Sequence, residues 1–262
     1  MEVLSYYNPT RFLGLVPKIK TNMSEWWVVD VALTGETAHN VGYITLKLKE
    51  FFKGRDGAIF ICNRKNILVF AHLGNEVCSD TLSHDLHGKM PKYSCAANIS
   101  EATTEGLSKM QLRLGDIVKD VANDPVLSSP LFQTRKERKE KIFMVAEDDM
   151  FMRSIVTKNF EPRGKVYEFP HADGVVETYL EHLPDIVFLD IHLPSNSGMN
   201  LLQEILSFDP SAYVVIMSAD SVKENVLGAK KSGAKGFLAK PFNKERLDEF
   251  YGKCPSIDVN AV

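Results

Sequence analysis

The chain has 262 residues, a formal net charge of −3, 44% hydrophobic residues and four cysteines. That length favours two domains, each large enough for its own core, and near-neutral charge gives no sign of affinity for nucleic acid or a membrane surface. No apolar run spans a bilayer, the start Met1-Glu-Val-Leu-Ser-Tyr6 lacks a signal peptide's basic and apolar regions, and Cys62, Cys78, Cys95 and Cys254 form no CxxC pair. A cytoplasmic protein with reduced thiols is therefore expected.

In chain order, Trp26–Leu33 reads as a strand, and 40–52 as an amphipathic helix with Val41, Ile44, Leu48, Phe51 and Phe52 on its apolar face. Ala58–Cys62 and Ile67–Phe70 flank the polar, turn-prone Asn63-Arg-Lys-Asn66 and predict a hairpin. A helical region follows at 75–86. Another spans Thr103–Val121, with Leu107, Met110, Leu114, Ile117, Val118 and Val121 on one side. The order β, α, β, β begins a ferredoxin-like α+β layer, a plan shared by RNA-recognition modules and GGDEF nucleotide cyclases.

Neither activity is well supported by the residues. The hairpin tip lacks the glycine and acidic pairs a cyclase needs to approach a triphosphate and hold metal ions, and Asp30 is the single candidate metal carboxylate. An RNA surface wants exposed aromatics interleaved with basic residues, for which Phe60 and Phe70 beside Arg64 and Lys65 are the candidates. His72, Cys78, His84, His87 and Cys95 have no CxxC or HExxH framework, so they read as polar surface and thiols rather than a zinc site. No helix-turn-helix, P-loop or dinucleotide fingerprint occurs. Residues 1–125 are thus expected to form an α+β domain without catalysis. Residues 126–140 combine Pro-containing turns with the charge run Thr134–Lys141 and are expected to be an open linker that buries nothing.

Residues 141–254 carry the strongest pattern. Four short apolar runs each end in a polar residue: 141–146 into Glu147-Asp-Asp149, 185–189 into Asp190, 213–217 into Ser218, and 236–239 into Lys240-Pro241. Unalternated runs separated by helical segments predict parallel strands buried on both faces, with the ligand crevice beyond their carboxyl ends. The fold class expected is α/β, a doubly wound parallel sheet, behind the amino-terminal α+β domain.

These segments resemble the receiver domain of bacterial two-component response regulators, which implies a flavodoxin-like fold with a doubly wound five-stranded parallel sheet. Val145-Ala-Glu-Asp-Asp149 is similar to the acidic-pair segment, Phe188-Leu-Asp-Ile-His-Leu-Pro194 with Ser197-Gly198 to the phospho-acceptor strand and loop, Met217-Ser-Ala219 to the hydroxyl strand, and Gly236-Phe-Leu-Ala-Lys-Pro-Phe242 to the last strand.

Three crowded carboxylates need a counter-charge, and oxygen ligands beside a phosphoryl group suit Mg²⁺, or Mn²⁺ in its place. Asp190 then serves as the nucleophile for phosphorus, with Lys240 a fixed positive charge. The resemblance implies Glu147, Asp148, Asp190 and the His192 carbonyl as metal ligands, and a cis Lys240–Pro241 bond. It also implies phosphate contacts from Ser218, the Ala219 amide and Lys240. Phe237 would turn with Ser218 as the switch, and His192 and Asp220 would set the lifetime of the acyl phosphate. The implied donor is a histidine kinase or histidine phosphotransfer protein. Phosphorylation is expected to promote homodimerisation or binding of an output partner through helices and strand at 221–251, without enzymatic output.

Overall fold

The computed structural model describes residues 1–5, 9–33, 41–63, 66–89, 95–108, 129–194, 196–219 and 223–258. The chain divides into two compact units, Met1–Leu131 and Phe132–Val262.

The first unit contains β1 (Glu2–Ser5), α1 (Pro9–Thr21), β2 (Trp26–Leu33), α2 (Val41–Phe51), β3 (Gly57–Asn63), β4 (Asn66–His72), α3 (Ser79–Lys89) and β5 (Cys95–Glu101). Its sheet has the order β1-β3-β4-β2-β5. The pairs β3–β4, β4–β2 and β2–β5 are antiparallel. From β2 to β5 this is the βαββαβ plan with the ferredoxin-like strand order, of which the sequence predicts β2, α2, β3, β4 and α3 but not the last strand, β5. The amino-terminal β1 and α1, which the sequence reading does not anticipate, add a parallel edge to β3 and a further helix.

That helix has a large effect on packing. Phe12, Val16 and Ile19 of α1 are buried with Trp26, Ala58, Phe60, Leu68 and Phe70. The Phe12 ring meets Phe60 edge-on at 5.5 Å and Phe70 at 5.4 Å. Phe60 and Phe70 are therefore core residues, as Phe in a strand usually is, and not an RNA-stacking surface. The alternate residues Val29, Val31, Ile59, Ile61, Ile67, Val69 and Ala71 are also buried, as are Ile44 and Leu48 of α2 and Leu82 and Leu86 of α3. The predicted helix 103–121 is described at residues 104–108, which are helical; its remainder and the hairpin tip Arg64-Lys65 lie outside the described residues.

The second unit begins within α4 (Pro130–Glu137) and continues through β6 (Ile142–Ala146), α5 (Met150–Phe160), β7 (Lys165–Phe169), α6 (Val175–His182) and β8 (Ile186–Asp190). It ends with α7 (Gly198–Phe208), β9 (Val214–Ser218), α8 (Lys223–Lys231), β10 (Gly236–Ala239) and α9 (Lys244–Lys253). All strand pairs are parallel, in the order β10-β9-β8-β6-β7. This is the doubly wound flavodoxin-like order. One face, with Phe143, Val145, Phe188, Val215, Met217 and Leu238, packs with Val156 and Phe160 of α5 and Leu247 and Phe250 of α9. On the other, α6 and α7 lie against β6 and β8.

The expected linker 126–140 is corrected from Pro130 onward. Leu131, Phe132 and Arg135, at i, i+1 and i+4, are buried. Arg135 is 1% exposed and Asp209 0%, with Nη1 2.5 Å from Oδ2. Nη2 donates to the Ser211 carbonyl at 3.1 Å and hydroxyl at 2.6 Å, and Tyr179 Oη donates to Asp209 at 2.6 Å. Three residues later Arg138 donates to Asp185 at 2.6 Å and to the carbonyl of His182 at 2.7 Å. Asp185, fully buried, also accepts from the Ile142 amide and the Ser256 hydroxyl. Arg135 and Arg138 of the charge run thus fasten this segment to the amino ends of β6, β8 and β9.

Candidate functional site

In a doubly wound sheet the crevice opens where the strand order reverses, here between β6 and β8 at their carboxyl ends. Glu147 directly follows β6 and is 0% exposed; Asp190 is the last residue of β8 and 4% exposed. The Glu147 amide donates to the Phe169 carbonyl at 2.9 Å and the Ile191 amide to Met217 at 3.1 Å, so both carboxylates leave from strand ends held by their neighbours. Carboxylate oxygens of Glu147, Asp148 and Asp190 lie within 4.8 Å of one another.

Asp149 plays a different part. Its side chain accepts from the Met152 amide at 2.8 Å and caps α5. The acid pair is therefore Glu147 and Asp148, as the alignment of the motif places it.

Lys240 enters from the end of β10. Its amide donates to the Ser218 carbonyl at 2.8 Å, and the Lys240–Pro241 bond is cis, as the resemblance implied. Nζ stands 2.7 Å from Glu147 Oε1, 2.6 Å from Oε2 and 3.1 Å from Asp190 Oδ1. Burial opposes the ammonium, yet contact with Glu147 and Asp190 outweighs it and raises the Lys240 pKa, so the side chain stays charged. Burial pushes the Glu147 carboxyl up and Asp190 adds to it, with Lys240 offsetting only part. Two like charges about 4 Å apart repel by roughly 4 kcal/mol at an effective dielectric near 20. One ammonium does not balance three such groups, and the all-oxygen donor set fits a hard divalent cation.

Gly198 shows how closely the acceptor loop is built. Its amide donates to the Ile191 carbonyl at 2.9 Å, and a Cβ there would lie 2.0 Å from the Asp190 carbonyl oxygen. Ser218 is buried at the end of β9, with Ala219 exposed beside it. His192 is exposed on the loop after Asp190, and Phe237 is half-buried on β10, in register with Ile216. Asp220 lies outside the described residues.

Residues 143–251 match the response regulator receiver domain family. The chain belongs to that family. It is 36% identical over 118 residues to the chemotaxis protein CheY of Thermotoga maritima, covering 43% of this chain and 96% of that protein. To CheY of Bacillus subtilis it is 34% identical over 112 residues, 42% of this chain and 93% of the other. Among solved structures, a CheX-CheY-BeF3-Mg+2 complex from Borrelia burgdorferi matches with 27% identity and a TM-score of 0.40, over 42% of this chain and 85% of that one. The second unit is the receiver domain of a two-component response regulator, and the first unit lies outside the family match.

The candidates in that first unit are not brought together. Asp30 lies within β2 and belongs to no metal-holding group of three or more ligands among the described residues. His84 is exposed beside Asp85 at 3.7 Å, and the His87 ring bonds the Ser83 carbonyl at 2.7 Å. Cys62, Cys78 and Cys254 form no disulfide among the described residues. No helix among the described residues is long and apolar enough to cross a membrane.

Sequence reasoning passed over two features of the receiver. Met150 and Phe151, 76% and 68% exposed, stand directly after the acidic triplet, where large apolar side chains on an open surface are readable as a contact patch. Arg153, to which the sequence reading gives no role, is tied to the backbone of the acid pair. An Arg in the first turn after an acidic strand end was the available signal.

Proposed function

We propose that Asp190 accepts a phosphoryl group from a histidine kinase or histidine phosphotransfer protein, and that the receiver thereby switches its association with itself or an output partner. The observation that carries this reading is the group of Glu147, Asp148 and Asp190 oxygens within 4.8 Å, with Lys240 Nζ 3.1 Å from Asp190. Glu147, Asp148, Asp190 and the His192 carbonyl are the residues to hold Mg²⁺, or Mn²⁺ in its place, which when bound supplies charge neutralisation for carboxylates and phosphoryl oxygens.

The Asp190 carboxylate oxygen attacks phosphorus in line. The new P–O bond forms as the bond from phosphorus to the donor imidazole nitrogen breaks, and the imidazole leaves with that electron pair. Lys240 meets the charge on the phosphoryl oxygens, and the Ser218 hydroxyl and Ala219 amide supply further donors. Phe237, half-buried, turns inward as Ser218 is drawn to the phosphate, and His192 and Asp220 set the lifetime of the acyl phosphate. Dimerisation or partner binding then follows through α8, β10 and α9. The first unit serves as a non-catalytic output domain.

The purified chain incubated with acetyl phosphate and Mg²⁺ should gain the mass of one phosphoryl group, base-labile and absent without the divalent ion. No gain at any Mg²⁺ concentration refutes the proposal. Because Met150 and Phe151 form an apolar step beside the acids, Phe151→Asp is expected to slow transfer from a phosphorylated histidine protein at least about tenfold by disrupting docking. Uptake from acetyl phosphate, which needs no docking face, should stay unchanged. Equal loss with both donors would remove the docking role.

A further inference from the structure

We propose that Arg153 is a positioning residue for the divalent-ion site, acting through the backbone of the acid pair; this rests on the metal-dependent reading above. Arg153 Nη1 donates to the Glu147 carbonyl at 2.7 Å and to the Asp148 carbonyl at 3.3 Å, while Nε lies 3.3 Å from Glu168 Oε2. One guanidinium nitrogen therefore spans two successive carbonyls at the turn from β6 into α5.

The side chains of the pair differ in how they are held. Glu147 is fully buried and gripped by Lys240, so its carboxylate has a partner of its own. Asp148 is exposed, and among the described residues its carboxylate has no hydrogen-bonding or ion-pair partner. Its place within 4.8 Å of the other two oxygens is consequently set by its main chain. Arg153 is the side chain that donates to the carbonyls of that main chain, and Glu168 on β7 anchors it from the far side. A ligand that is correctly aimed before the ion arrives loses less freedom on binding, and partners that hold metal ligands are typically worth 10–100-fold in affinity.

Charge alone predicts the opposite. Arg153 is a cation beside a cation site, so its removal should tighten divalent binding if electrostatics were its whole contribution. The direction of the change therefore separates the two roles.

The test is Mn²⁺ binding to the full chain, read from the free-ion paramagnetic resonance signal, with circular dichroism and a melting curve for each variant. Arg153→Gln should weaken Mn²⁺ by about tenfold. Arg153→Lys, which keeps the charge and one donor, should fall between it and wild type, and Glu168→Gln should weaken binding less than Arg153→Gln. Unchanged or tighter binding in a folded Arg153→Gln protein overturns the positioning role while leaving the phosphoacceptor reading intact. If Arg153→Gln does not fold, wild-type affinity in Arg153→Lys together with wild-type affinity in Glu168→Gln overturns it. Absence of Mn²⁺ binding in wild type that is sensitive to Asp190→Asn defeats both proposals together.

Discussion

Asp190→Asn is expected to lose phosphoryl uptake from acetyl phosphate completely, because the amide offers no anionic oxygen to phosphorus. Intact-mass measurement under acid quench, followed by base treatment, reads the result. The same substitution should raise the melting temperature in metal-free buffer. Asp190 stands within 4.8 Å of two further carboxylates, and the neutral amide removes that like-charge crowding. Mg²⁺ should then stabilise wild type more than the variant, through its preference for the folded state. Loss of chemistry with a gain in stability identifies a functional carboxylate, whereas loss of both would mean a damaged fold. Lys240→Ala keeps the nucleophile but removes the fixed cation, and uptake should slow by about a hundredfold, the scale of deleting one preorganised charge-stabilising donor. An Asp190→Asn protein that still gains a base-labile phosphoryl group would remove Asp190 from the mechanism.

The second large effect lies far from that chemistry. Arg135→Ala leaves Asp209 charged, 0% exposed and without its counter-ion. Breaking a buried pair in this way typically costs about 3–5 kcal/mol, which equilibrium denaturation should register in full. Asp209→Leu combined with Arg135→Met removes both charges and should recover most of that loss. The pair also fixes a sign for acid sensitivity. Burial pushes the Asp209 carboxyl up, but the charge and hydrogen bonds of Arg135, with those of Ser211 and Tyr179, outweigh it and hold the pKa below its ordinary value. A lowered pKa in the folded protein contributes stability that is complete above the ordinary carboxylate pKa of about 4 and lost as pH falls through the lower folded value. The Arg135→Met/Asp209→Leu protein should lose less stability than wild type as pH falls below about 4. Equal acid profiles would show that the pair is not the source.

The receiver was legible because its strands are apolar without alternation and each stops at the residue that meets the ligand. Glu147, Asp190, Ser218 and Lys240 sit at those stops for the same reason that they show in the chain. Arg135 did not show. Read one residue at a time, Thr134–Lys141 is a solvated run, and only the arrival of Asp209 and Ser211 from more than seventy residues away makes one of its cations a core side chain. In the first unit, β2, α2 and the hairpin follow from local periodicity and turn chemistry. What covers Phe60 and Phe70 does not, since nothing local marks α1 as the helix that packs on that face. Arg153 was visible as a residue but not as a tie, because its partners are main-chain carbonyls, which leave no trace in side-chain pattern.

A parallel sheet has a direction, and this receiver uses its two rims for separate tasks. Arg135, Arg138, Asp185, Ser211 and Ser256 fasten the rim where strands begin. Glu147, Asp190, Ser218 and Lys240 occupy the rim where they finish. Substitutions at the fastening rim can tune thermal tolerance without altering signalling output, and loop changes at the opposite rim can redirect partner choice while the scaffold endures. Selection can therefore act on durability and on communication almost independently.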